Sequence, residues 1–286
     1  LRVITTNTIL ADFARVIGGD LVAVETIMPL GSDVHSFQPT PNSSLDISKA
    51  RVIISNGHGL DTFLEPLIES AMNSTAIRLV ASYGLGNGTT SANIGHSLSH
   101  EENHLDHVDR SVDPHFWLNP EYAIHYVERI RDTLIVIDSS NEEIYRANTE
   151  KYVRKLENLD IFIQDTLREI PVHRRQLVTL HNGFQHFASK YDFSVSYFVS
   201  HDPNSGTPAE ISETFNEIGN GNATTIFTSP GMNSGILTQL ATDLDMTIQP
   251  IYSDTLTDDV DTYLEMMEFN ARSLERSLKQ DVVKHK

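Results

Sequence analysis

The 286-residue chain contains no cysteine. That absence removes disulfides, thiolate metal sites and cysteine nucleophiles together, and leaves imidazole and carboxylate as the strong metal ligands. Long apolar runs are missing as well. No stretch approaches the ~20 consecutive apolar residues that cross a bilayer, while a hydrophobic fraction of 39% and a regular apolar periodicity exclude a disordered chain. Basic residues are scarce: 21 Lys and Arg face 39 Asp and Glu, a formal charge of −18 at pH 7. Such a field repels nucleic acid and anionic membranes and attracts cations. A His-Glu-X-X-His string occurs once, as His100-Glu101-Glu102-Asn103-His104 inside a Gly-, Ser- and Asn-rich stretch, and so short a pattern signals a metallohydrolase only when it lies on a helix. The chain opens at Leu1 rather than Met, from which a trimmed export segment or anchor is expected.

What is present is an alternation of strand-like and helix-like stretches. Arg2–Thr6 reads as a strand, and Ile9, Leu10, Phe13, Val16 and Ile17 line one helical face that ends at Gly18-Gly19. Further strands are expected at Leu21–Met28, Val52–Ser55 and Ile77–Ala81, with a helix from Leu60 to Ala71. The second half repeats the rhythm at Leu177–Leu180, Phe193–Val199, Thr225–Thr228 and Thr247–Ile251, and ends in a helix over Val260–Leu278. This is the pattern of parallel sheets with crossover helices. Since single cores usually form from about 100–150 residues, the length predicts two lobes. Between them, Asn141–Ile170 carries an apolar stripe of Ile144, Tyr152, Leu156, Leu159, Ile163 and Leu167 with no Gly or Pro before Pro171. It reads as one helix of ~45 Å, either running the length of both lobes or packed on one. The expected division is a first lobe at 1–139, the connecting helix at 140–170 and a second lobe at 171–286.

The histidines fall into distinct settings. His35 and His115 sit in proline-braced turns, Gly31-Ser-Asp-Val-His-Ser-Phe-Gln-Pro-Thr-Pro and Asp113-Pro-His-Phe-Trp-Leu-Asn-Pro, and His181 closes the strand Leu177–Leu180. Strand ends and the loops that follow them are where open α/β sheets place ligands. The residues alone leave two readings open, a shared metal site or three solvated turn histidines. His58, His125 and His186 read as core or surface residues. Gly84–Val112, rich in Gly, Ser, Thr, Asn and His, reads as a long loop. Its His96, His100, His104 and His107 are spaced so that a helical turn would put all four on one face.

Five motifs in order, the two turns above with Asn56-Gly-His-Gly-Leu-Asp61, the His181-Asn-Gly-Phe segment and Ile251-Tyr-Ser-Asp254, resemble the zinc/manganese solute-binding proteins of ABC importers. That cluster includes zinc-uptake and adhesin-type lipoproteins. The resemblance implies two α/β lobes, each a parallel sheet with flanking helices, joined by one long rigid helix with a metal at the lobe interface. It places ligands on His35 and His115 from the first lobe and on His181 and Asp254 from the second, although Asp254 among Asp258, Asp259 and Asp261 could also serve as a capping residue. Three positions depart from the family pattern: Asn182 stands for an Asp, Asp61 for a Glu and Asn119 for an Asp. The function implied is extracytoplasmic capture of Zn²⁺, as a monomer, and delivery to a membrane permease, with no catalysis. The possible auxiliary metal group is the loop set His96, His100, His104 and His107. Imidazole at His181 favours zinc; a carboxylate there would favour manganese, the runner-up metal. The rivals of other classes are a zinc hydrolase, in which three histidines leave a water to activate, and a surface adhesin.

Overall fold

A computed structural model of the protein describes residues 1–34, 37–86, 112–199, 214–218, 223–230, 232 and 234–279. His35 and the loop histidines His96, His100, His104 and His107 lie outside the described residues.

Two four-stranded parallel sheets form with the same topology. The first holds β1 (Arg2–Thr5), β2 (Ala23–Thr26), β3 (Val52–Ser55) and β4 (Ile77–Val80) in the order β2-β1-β3-β4. The second holds β5 (Gln176–His181), β6 (Ser194–Val199), β7 (Thr225–Thr228) and β8 (Thr247–Pro250) in the order β6-β5-β7-β8. In each, the chain leaves the first strand to one side and returns on the other. That reversal opens a crevice at the carboxyl ends of β1 and β3, and again at those of β5 and β7.

The helices are α1 (Thr8–Gly18), α2 (Pro41–Lys49), α3 (Glu65–Ala71), α4 (Pro120–Ile137), α5 (Glu142–Arg168), α6 (Gln185–Tyr191), α7 (Ser234–Asp243) and α8 (Tyr263–Leu278). Their ends follow local chemistry. The Asn7 side chain accepts from Leu10 N–H at the start of α1, and Gly19 closes that helix at φ +52°. Asn119 accepts from Glu121 N–H ahead of Pro120 at the start of α4. The helix expected from Leu60 is shorter: Thr62–Leu64 is a 3₁₀ turn, and the α-helix begins where Pro66 supplies a ready first turn. The strand expected at Leu21–Met28 is trimmed to four edge residues because Gly19–Leu21 winds into a 3₁₀ turn.

Every residue of β3 is buried, which requires cover on both faces of the first sheet. Ile4 and Ile53 pack with Ile47 of α2 and Ile68 of α3 on one face. Val3, Val52 and Ile54 on the other belong to a larger core that continues through α1, α4, α5 and α8 to Leu177 and Phe227 of the second sheet. The far face of that second sheet, Val178, Leu180, Phe198 and Ile226, packs separately against Leu237 and Leu240 of α7. Helix α5 has 27 residues, ~40 Å at 1.5 Å per residue, and buries Tyr145, Tyr152, Leu156, Leu159, Ile163 and Leu167 in the shared core. Ile144, expected in that stripe, is 46% exposed; Tyr145, one residue on, takes the inward direction.

Four helices meet around Phe13, whose ring lies 6.1, 6.3 and 4.8 Å from those of Tyr126 (α4), Tyr152 (α5) and Tyr263 (α8). Beside it, buried Asp12 accepts from Tyr263 N–H at 2.9 Å and ties α1 to α8. Burial pushes its carboxyl up to about 6 from 3.8, with Asp261 adding, against the Tyr263 N–H and Arg15. A group whose folded pKa is raised binds its proton more tightly when folded, so its contribution falls as pH rises from about 4 to about 6. Asp12→Asn should therefore remove a loss of up to ~3 kcal/mol across that window. Urea melts of both proteins at pH 4 and 7 check this. Parallel stability profiles would show that Asp12 titrates as an ordinary carboxylate.

Candidate metal centre

The two crevices face each other, and the end of each switch strand holds a loop of the site. After β3, Asn56 donates from Nδ2 to Pro114 O at 3.1 Å and accepts from Tyr126 OH at 2.7 Å, which fixes the turn that carries His115. Asn56 is itself held by Asp61, whose carboxylate accepts from the backbone N–H groups of Asn56 and Gly57 and from Thr6 OH. Burial raises the Asp61 pKa against those three bonds. After β7, the Ser229 hydroxyl accepts from Ser253 N–H at 2.9 Å and fixes the turn that carries Asp254. His181 needs no loop, since it is the last residue of β5.

Although Asp254 belongs to the second half of the sequence, its segment is fastened to the first. Trp117 Nε1–H donates to Ser253 O at 2.8 Å, Leu256 N–H to Thr8 OH at 2.8 Å, and Gly31 N–H to Leu256 O at 2.8 Å. The Asp254 carboxylate also accepts from the Ser253 hydroxyl. A capping role for Asp254 is excluded: α8 is capped by Thr262, and Asp254 is buried.

His115, His181 and Asp254 converge, each offering one ligand atom within 4.8 Å of the others, and all three are buried. Among the described residues this is the group of three or more such side chains that comes together. His181 Nε2 lies 3.6 Å from Asp254 Oδ2, close to the ~3.3 Å edge of a zinc tetrahedron with ~2.05 Å bonds. His115 Nε2 lies 2.6 Å from Asp254 Oδ1. The His115 and His181 rings stand edge to face, 5.2 Å apart.

Asp113, which the motif contains but the sequence reading gave no role, completes the surroundings of His115. Its Oδ1 accepts from His115 Nδ1–H at 2.7 Å and from His115 N–H at 2.9 Å. Burial alone would lower the His115 pKa, but the charges of Asp254 and Asp113 on its two nitrogens override it and raise the ring to about 10. Burial would likewise raise Asp113, and the His115 charge and hydrogen bond bring it down to about 2. A cation bound at His115 Nε2 would compete with a proton for that atom.

Three other described histidines support the scaffold. His186 stacks on Phe116 at 4.1 Å and bonds Asp113 O at 2.7 Å; burial lowers its pKa. The His58 ring rests 4.8 Å from Phe116, and His125 bonds Tyr83 O at 2.9 Å. Of the three departures from the family pattern, Asp61 pins a turn, Asn119 caps α4, and Asn182 accepts from the Gln185 side chain at 2.8 Å.

The family described as ZnuA, zinc-uptake complex component A, periplasmic, matches residues 3–277. The chain belongs to that family of ABC-importer solute-binding proteins. Among its relatives, the manganese-binding lipoprotein MntA of Halalkalibacterium halodurans is 28% identical over 285 residues, 98% of this chain and 89% of that protein. The iron-binding protein YfeA of Yersinia pestis is 33% identical over 196 residues, 68% of this chain and 58% of that protein. The periplasmic zinc-binding protein TroA of Treponema pallidum shares the fold, with a TM-score of 0.83 over 98% of this chain and 99% of its own at 20% identity.

Gly183 tests the geometry of this family member directly. A Cβ there would stand 2.6 Å from His181 Nε2 and 3.2 Å from two atoms of the His115 ring, so Gly183→Ala must push the rings themselves. Zinc affinity should drop by roughly tenfold or more, with little change in melting temperature. Unchanged affinity in a competition titration would show that the two rings are not held where this packing puts them.

Proposed function

We propose that this chain is an extracytoplasmic zinc carrier that captures Zn²⁺ and hands it to the membrane permease of an ABC importer. The observation that carries the reading is the convergence of buried His115, His181 and Asp254, and we propose His35 as the fourth ligand. Three imidazoles and one carboxylate saturate a tetrahedral ion, and a saturated site suits transport, whereas a hydrolase keeps a position for water. Family membership favours the same class. We propose the division into 1–139, 140–170 and 171–286 on the same reading, with each outer part supplying ligands and the middle one limiting their separation. Action outside the cytoplasm is supported by relatives named as periplasmic or as lipoproteins, and among the described residues no helix is long and apolar enough to cross a membrane.

Zinc is chosen over manganese because two of the gathered donors, His115 and His181, are nitrogen, and nitrogen-rich sets favour later transition metals. Manganese has a specific observation of its own: relatives such as MntA are named for it, and both Asp254 oxygens are turned toward the histidines. Competitive titration with Zn²⁺ and Mn²⁺ on protein stripped by a chelator separates the two. Zinc should bind with the higher affinity, one ion per chain at the tight site. His35→Ala, His115→Ala and His181→Ala should each lose more than the roughly 10–100-fold typical of an outer-shell change, and Asp254→Ala less if water fills its place. Wild-type affinity in any of these variants would remove that residue from the site.

The sign of the pH dependence follows from His115. Its raised pKa means that zinc competes with a proton, so affinity should rise with pH through the neutral range. Calorimetry in buffers of different ionisation enthalpy at pH 7.5 should find at least one proton released per zinc. Zero release would contradict His115 as a ligand.

We also propose that His96, His100, His104 and His107 gather zinc ahead of the main site. A loop must lose conformational entropy to chelate, so its sites should be the weaker ones. Changing all four to Ala should leave the tight dissociation constant unchanged and remove a second, weaker step. Loss of the tight step would place the loop inside the main site.

A further inference from the structure

The carboxylate of Asp113 touches both histidine-bearing segments at once. Oδ1 takes the His115 Nδ1–H at 2.7 Å and the His115 backbone N–H at 2.9 Å. Oδ2 takes the backbone N–H of Gln185 at 2.9 Å, the first residue of α6 and four positions beyond His181. The main-chain oxygen of Asp113 takes His186 Nε2–H at 2.7 Å, from the same helix. Asp113 is 4% exposed, and both of its carboxylate oxygens are engaged. A short side chain bonded this way has no slack, so the first-half turn and the second-half helix are held in one register.

We propose that Asp113 is the positioning residue of the metal site. It holds the His115 ring in the tautomer that carries its proton on Nδ1, which leaves Nε2 as the ligand atom facing His181 and Asp254. Through Gln185 it also fixes how far α6, and with it the His181–Gly183 corner, stands from His115. Charge supports the assignment. A divalent cation beside Asp254 keeps one uncompensated positive charge in a buried place, and Asp113 cancels it from the other side of the imidazole. Because this role presumes that His115 is a ligand, it rests on the carrier reading above.

The test compares wild type, His115→Ala, Asp113→Asn and Asp113→Ser by zinc competition titration, far-ultraviolet circular dichroism and NMR of protein labelled with ¹⁵N-histidine. Asn keeps the shape and loses the charge; Ser keeps an acceptor near the His115 N–H but cannot reach Gln185. Both should bind zinc roughly 10–100-fold more weakly while retaining the helical spectrum. Zinc-loaded wild type should show a low-field, slowly exchanging His115 Nδ1 proton that both variants lose, a change that a purely structural role for Asp113 would not produce. Asp113 variants within twofold of wild type, alongside a His115→Ala protein that has lost tight binding, would overturn the inference and leave the carrier reading intact. If His115→Ala itself binds as wild type does, the carrier reading fails. Should neither Asp113 variant fold, the wild-type spectrum decides, since absence of that proton in the zinc-loaded protein overturns the proposal.

Discussion

The candidate site depends on the contact between His115 and Asp254, an imidazole and a carboxylate 2.6 Å apart with almost no exposure to solvent. Removing two such groups from water costs several kcal/mol each, and the attraction between them repays it only with good geometry and further hydrogen bonds. Those bonds come from both halves of the chain: Asp113 on the far nitrogen of His115, and the Ser253 hydroxyl on the carboxylate of Asp254. The main chain at Ser253 is in turn held by Ser229 and Trp117. The contact therefore ties the two sheets together and gathers the donors that a cation needs.

The repeated topology explains how such a contact can be built. Each half-fold opens a crevice at its own strand reversal, and neither crevice alone collects more than part of the ligand set. Facing them toward each other brings together donors from the two halves. The core that runs from Val3 through α1, α4, α5 and α8 to Leu177 prevents the halves from hinging freely. Motion is cheaper where packing is separate, on the far face of the second sheet around α7. Loading and release are then expected to proceed by small shifts of site loops rather than by wide opening of the lobes.

The strands were legible because their signals are local. Val52–Ser55 and Thr225–Thr228 occupy the residues their apolar runs indicate, and His181 lies at a strand end as the sequence suggests. The long helix was legible from its periodicity, except at Ile144, where the stripe turns outward. Helices α2 and α4 were not picked out individually, since their Pro-led starts look like turns until the capping residues Thr40 and Asn119 are seen in place. The resemblance named the candidate ligands, and three of its four come together, while His35 lies outside the described residues. Two features could not be read from sequence because they depend on contacts across large separations. One is the fastening of the Asp254 segment to Thr8, Gly31 and Trp117; the other is the grip of Asp113 on Gln185. The adjacent signal for Asp113 was its place two residues before His115, the spacing from which an Asp side chain can accept from the backbone N–H that follows.

The same contact bears on how a tight site can also give up its ion. A carrier that left three uncompensated ligands buried after delivery would be unstable in its empty form, and zinc would be recaptured at once. Here the charges of Asp254 and Asp113 favour a proton on His115, against the burial that would lower its pKa. A proton held there would stabilise an empty form, and a cation replacing it would bind by the difference between two occupied states rather than between a filled and a vacant one. Affinity can then be adjusted by whatever alters the His115–Asp254 pair. Because the Asp254 segment is bonded to Thr8 and Gly31 of the first half, a partner that moved those residues by a fraction of an ångström would act directly on the Asp254 carboxylate. The hydrogen bonds that build the site are thus also the route by which a partner could empty it.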